Sequence, residues 1–230
     1  MRSSFALILF TGLSLVPAAQ AAAPDDSAAL AGQVVGDTYL SATGLFRITV
    51  PVLPELGGNI TDTPNVVTFA DAFTTHITIA VFPLDATQRW ELSTTSKKDY
   101  FVKFFSGFLL TDFRQKFPGA SVESATYLPT VQDGALLVYA LLPGGSMFNA
   151  RLALFGASDN LPIAKRGNLL FVKGDNLFIL SSEMAERATE RSLYTKTTAQ
   201  EDEILRQRLL GVLMSMRFTG TAAATPSAGK

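Results

Sequence analysis

Apolar and polar residues alternate along this chain with two different periods. Over residues 96–117, Phe101, Phe104, Phe105, Phe108, Leu109 and Phe113 recur at spacings of three and four, while Lys97, Lys103, Asp112, Arg114 and Gln115 fall away from the centre of that stripe. This pattern predicts an amphipathic helix. Ser96 stands at the N-cap position with Asp99 three residues on, and Pro118-Gly119 supplies the stop. A second helix is predicted over residues 198–214, where Thr198-Ala199-Gln200-Glu201 has the form of a capping box and Leu205, Leu209, Val212, Leu213 and Met216 share one stripe. It is expected to lie beside the first on a common sheet. A short helix is expected around residues 184–191.

Most of the remainder reads with period two. Strands are predicted over residues 45–51, 66–69, 76–82, 120–128, 135–142, 147–155, 169–172 and 177–180. In the third, Ile77, Ile79 and Val81 face one way and His76, Thr78 and Ala80 the other. Pro143-Gly144-Gly145-Ser146 and Lys173-Gly174-Asp175-Asn176 are tight turns, which predict two hairpins, 135–142 with 147–155 and 169–172 with 177–180. Residues 39–44, 51–64, 83–95 and 157–168 read as turns and loops. Strands grouped around two helices, without strict alternation, predict an α+β protein: a mostly antiparallel sheet with two main helices packed on it. No period of 20–50 residues recurs, which argues against a repeat architecture.

The N-terminus has the pattern of a signal peptide: Arg2, an apolar run from Phe5 to Val16, and the small-x-small site Ala19-Gln20-Ala21. Cleavage is expected after Ala21, because a dozen apolar residues fall short of the roughly 20 that a spanning helix needs. The expected organisation is a signal peptide at 1–21, a flexible leader at 22–38, a single domain at 39–218 and a disordered tail at 219–230. A secreted, periplasmic location is expected, with no integral membrane segment after cleavage.

Charge and composition narrow the chemistry. With 19 basic and 20 acidic residues the net charge is -1, so the chain lacks the electrostatic footprint of a nucleic-acid partner. The absence of cysteine removes disulfides, thiolate metal ligands and thiolate nucleophiles. His76 is the one histidine; it cannot build a multi-histidine metal site, and its strand pattern suggests an exposed or edge position. Gly144-Gly145-Ser146-Met147 lacks the second glycine of a nucleophile elbow and reads as a turn. Gly57-Gly58 lacks the lysine and hydroxyl residue of a phosphate loop. Asn59-Ile60-Thr61 fits a glycosylation acceptor, which matters only in a eukaryotic secretory route. Asp25-Asp26 and Glu201-Asp202-Glu203 fall in the leader and at a helix start, where they suit the helix dipole. Neither a catalytic set, a metal site nor a cofactor site is expected.

Two stretches have the composition of partner contacts, and equally that of solvated loops: Arg89-Trp90, an aromatic beside a cation between sheet and helix, and Lys165-Arg166 within the polar loop 157–168. The phenylalanines of the central helix have two readings, as cover for a sheet or as the lining of an apolar ligand cavity.

Tyr39-x-Ser41-x-x-Gly44-x-Phe46-x-Ile48-x-x-Pro51, the strand Ile77-Thr78-Ile79-Ala80-Val81, a central helix, paired strands across 169–180 and a final helix ending Ser215-Met216-Arg217-Phe218 together resemble the PsbP/Mog1-like α/β sandwich proteins. The resemblance spans residues 39–218 and rests on turn and core positions. It implies a family whose members are mostly non-enzymatic: accessory subunits of photosynthetic complexes, a regulator of a small GTPase, and secreted bacterial proteins of unknown role. It carries no catalytic motif onto this chain. The expectation is a secreted, non-enzymatic interaction or accessory protein with an unidentified protein partner; the alternative is a carrier of a small apolar ligand held between helix and sheet.

Overall fold

A computed structural model of the chain describes residues 30–148, 162–190 and 193–219. Its centre is a seven-stranded antiparallel sheet in the order β4(Asn59–Asp62), β5(Val66–Ala70), β6(His76–Pro83), β10(Asn176–Glu183), β9(Ile163–Lys173), β8(Ala135–Pro143), β7(Ser121–Leu128). A smaller sheet runs β1(Gln33–Val35), β2(Thr38–Leu40), β3(Phe46–Thr49), β11(Met216–Phe218).

The pleat of the large sheet explains the layers. Odd-numbered residues of β8 and β9, Leu137, Tyr139, Leu169 and Phe171, point to one face, and even-numbered Leu136, Val138, Ala140 and Leu170 to the other. Both faces are apolar, so the sheet must be covered twice. One cover is the small sheet together with α5(Thr198–Ser215), which buries Leu205, Leu209, Val212 and Leu213. Tyr39 meets Phe69 edge-on at 5.6 Å, and Phe218 meets Phe178 at 5.3 Å, so aromatic rings interlock the two sheets. The other cover is α2(Lys97–Phe104), a π-helical turn at Phe105–Leu109 and α3(Leu110–Lys116), which bury Tyr100, Phe101, Phe105, Leu110 and Phe113.

Several expectations are corrected. The two long helices lie on opposite faces of the large sheet rather than side by side. The capping box of α5 is Thr197 with Gln200, one residue earlier than the predicted pair. Residues 83–95 hold a helix, α1(Ala86–Thr94), capped by a reciprocal Asp85 and Gln88 pair. Residues 33–35 and 38–40, expected as leader and turn, pair as β1 and β2. The predicted loop 157–168 overlaps β9 from Ile163 on. It is β9 that pairs with β8, Pro143 opposite Ile163; the expected strand at 147–155 begins with Met147 and Phe148 in a turn, and its residues 149–155 lie outside the described residues. The expected signal peptide, residues 22–29 of the expected leader and residues 220–230 of the expected tail lie outside them as well. The 169–180 hairpin is present, extended to residues 163–183, and the short helix forms at Ala185–Thr189 as α4.

Candidate functional site

The helical cover stops short of the whole sheet. Between the α2–α3 arm and strands β6, β10 and β9 lies an open cleft of about 640 Å³, within the range of roughly 300–1,000 Å³ usual for small-molecule sites.

Strand register grades its floor. Arg166 of β9 stands opposite Glu183 of β10, and Asn168 opposite Ser181, which in turn faces Thr78 of β6. Further along the same strands Ile179 is opposite Ala80 of one neighbour and Leu170 of the other. One end of the floor is therefore polar, with His76, Thr78, Ser181, Arg166 and Glu183, and the other apolar, with Ala80, Ile179, Phe82 and Pro83. The wall is Phe104, Phe108, Leu109, Asp112 and Phe113, and Gln88 enters from the first turn of α1.

The π turn aims this wall. Inside the arm the buried positions run Phe101, Phe105, Leu110, Phe113, a step of five across the π segment where a regular helix would take three or four. The extra residue turns Phe108 out of the core; it is 66% exposed and stacks on Phe104 at 5.2 Å, presenting an aromatic pair at the cleft.

At the polar end the Glu183 carboxylate is buried. One oxygen accepts from the Ser146 hydroxyl at 2.7 Å; the other accepts from the Met147 amide at 2.9 Å and faces Arg166 Nη2 at 3.5 Å. The Arg166 side chain is 12% exposed, donates to the Gly145 carbonyl at 3.4 Å and lies over the Phe113 ring at 5.6 Å. Burial draws the Arg166 guanidinium below its ordinary value, opposed by Glu183, and it is a cation at any physiological pH. Burial, and then the Arg166 charge, draw the His76 imidazole down to about 4. His76 is thus a neutral ring at pH 7, with one donor and one acceptor nitrogen.

The predicted contact residues separate. Trp90 is 66% exposed on α1, and Arg89 beside it donates to the Leu84 carbonyl; neither lines the cleft. Lys165 and Arg166, read together as a partner-facing arm, are neighbours on a strand and therefore point to opposite faces. Arg166 enters the cleft. Lys165 is fully buried under α5, ion-paired with Glu123, Asp202 and, at 3.1 Å, Glu201. His76, expected at an exposed or edge position, sits on β6 between β5 and β10 and is half-buried in the cleft. Glu183 and Ser181 carried no separate signal; the available hints were the phenylalanines of the central helix, read as cover or as cavity lining, and the period-two pattern that set His76, Thr78 and Ala80 on one face. Among the described residues no cluster of three or more His, Cys, Asp or Glu is placed to hold a metal ion. No helix among them is long and apolar enough to cross a membrane.

No family model matches the sequence, and no curated protein matches it. Solved structures do resemble the fold. The cyanobacterial PsbP (CyanoP) of Synechocystis sp. PCC 6803 aligns at 11% identity and TM-score 0.45, over 79% of this chain and 91% of its own. The Saccharomyces cerevisiae Ran-binding protein Mog1p aligns at 10% identity and TM-score 0.46, over 82% and 96%. A protein of Bacteroides thetaiotaomicron aligns at 11% identity and TM-score 0.37, over 81% of this chain and 49% of that one. The α+β class stands on the chain's own antiparallel sheets and helices. At this level the likeness transfers no function and no site.

Proposed function

We propose that this protein is a non-enzymatic binding protein that holds a small molecule with an extended apolar body in the cleft between the large sheet and the α2–α3 arm. The observation that carries this reading is the exposed Phe108 stacked on Phe104 at the mouth of a 640 Å³ cleft whose far floor is apolar. A large aromatic side chain is left in water where burial would otherwise be worth about 2 kcal/mol. The signal-like N-terminus supports a secreted or periplasmic site of action.

Native mass spectrometry of the protein purified from its host should show a bound small-molecule adduct, and the purified apoprotein should bind Nile red. Phe108→Asp, altering a residue outside the core, should weaken the dye at unchanged stability. A clean apo mass together with no dye binding would overturn the reading.

A second reading, a protein-binding accessory role, is supported by the 66% exposure of Trp90 on α1. It predicts a specific partner in a pull-down that Trp90→Ala loses and Phe108→Asp keeps.

A further inference from the structure

The geometry points to a carboxylate as the head of the ligand, received by Arg166 at the polar end of the cleft, with an acyl-type chain lying toward Ala80, Ile179 and Phe82; this rests on reading the cleft as a small-molecule site.

The first argument is the state of Arg166. A guanidinium has five N–H donors in a planar fork. Among the described residues the polar partners of this one are the Gly145 carbonyl at 3.4 Å and Glu183 at 3.5 Å, both at the outer limit of a hydrogen bond. Glu183 does not compensate closely, because its short bonds go to Ser146 and Met147. The result is a nearly buried cation that lines the cleft, 5.6 Å from the centre of the Phe113 ring, with donor capacity left over. A carboxylate supplies two coplanar oxygens that match the fork, which makes the bidentate pair the stronger kind of charged hydrogen bond.

The second argument is charge complementarity. Two carboxylates already line the cleft, Glu183 on β10 and Asp112 on α3, the latter bonded to Lys116 at 2.9 Å. Glu183 pairs with Arg166 at 3.5 Å and Lys116 with Asp112, so the described lining carries no spare positive charge; a dianionic head such as a phosphate monoester would be repelled more strongly than a monoanion, which the unused fork donors of Arg166 hold by hydrogen bonds. Neutral His76 lines the same cleft and adds no charge to it.

The third is direction. From His76 to Phe82 the floor runs about 20 Å at the usual rise of a strand, and its lining changes from polar to apolar over that length. Head and chain thus have separate places.

The single histidine is a built-in reporter. Arg166 on β9, Glu183 on β10 and Asp112 on α3 are the charged groups that share the cleft with it, and Gln88 of α1 is uncharged. Burial is the larger cause of the lowered imidazole and the Arg166 charge the second; a carboxylate bound at Arg166 offsets the second, so binding raises the His76 pKa from about 4.

The test is calorimetric titration of purified apoprotein with dodecanoate, dodecanol and dodecyltrimethylammonium at pH 7, joined to an NMR titration of the His76 ring with and without each. Dodecanoate should bind at least about tenfold tighter than dodecanol, with the cationic amphiphile weakest. Dodecanoate should raise the His76 pKa and dodecanol should not. Arg166→Lys, which keeps the charge and loses the fork, should reduce the carboxylate preference about tenfold while leaving dodecanol affinity unchanged. Equal binding of dodecanol and dodecanoate, or an unmoved His76, overturns the carboxylate assignment and leaves the cleft reading intact. No binding of any of the three, with no dye binding either, overturns both. Should Arg166→Lys fail to fold, the wild-type NMR titration decides alone.

Discussion

Among the described residues Lys165 takes part in the most ion pairs. Its ammonium is wholly buried, lies 5.3 Å from the Tyr139 ring centre, and is shared among Glu123, Glu201 and Asp202 from two different elements. Burial alone draws its pKa down, but the hydrogen bonds to Asp202, Glu123 and Glu201 outweigh it and leave it raised. Because the folded value lies above the unfolded one, this contribution to stability is complete below the ordinary lysine value of 10.5 and is lost as pH rises through the folded pKa. Lys165→Met leaves the carboxylates without their cation and should destabilise by about 3–5 kcal/mol in urea unfolding at pH 7. His76 works in the opposite sense. Its pKa is lowered from 6.5 to about 4, so the unfolded chain takes up the proton first. Its contribution is complete above pH 6.5 and is lost as pH falls toward 4. Wild type should lose on the order of 2 kcal/mol more than His76→Gln across that window, after allowance for partial exposure. Equal losses would show that the ring titrates normally. The adjacency of Lys165 and Arg166 was plain in the sequence; their separation to opposite faces was not, because Pro162 and the polar residues before it hid the start of β9.

At the scale of elements, capping chemistry and periodicity carry different amounts of information. The central helix was legible from both, since Ser96 caps it as expected, its hydroxyl accepting from the Asp99 amide at 3.1 Å. The π turn was not, because an inserted residue leaves no compositional mark. Its effect can be measured: Phe101→Ala, in the core, should cost about 3–5 kcal/mol, while Phe108→Ala should change stability by less than about 0.5 kcal/mol. Comparable losses at both positions would place Phe108 on the buried stripe after all. α1 escaped detection for a physical reason: it buries no residue, so it has no apolar stripe, and its reciprocal cap at Asp85 and Gln88 is its main local signal. In α5 the cap begins at Thr197, and this leaves Glu201 free of capping duty and able to join Lys165.

At the scale of the whole molecule, the α+β class was legible because alternating strands outnumber helical stretches. Sheet order was not, because β6 finds its partner β10 across nearly a hundred residues and local pattern carries no record of such pairings. The small sheet is the extreme case: Met216 pairs with Ile48 and Phe218 with Phe46. Truncation before Met216 should remove two core side chains and one sheet edge together. The shortened protein should lack a cooperative thermal transition by circular dichroism; a full-height transition at an unchanged temperature would show that β11 is dispensable.

That closing pair sets a schedule for synthesis. Thr219 bonds back to Gly44 across 175 positions, so a chain emerging from the ribosome keeps the β3 edge unzipped until those residues have been made. Half of the aromatic interlock must wait with it. Contacts this distant in sequence make folding slow, and they defer closure of the small sheet until residues 216–219 have left the ribosome.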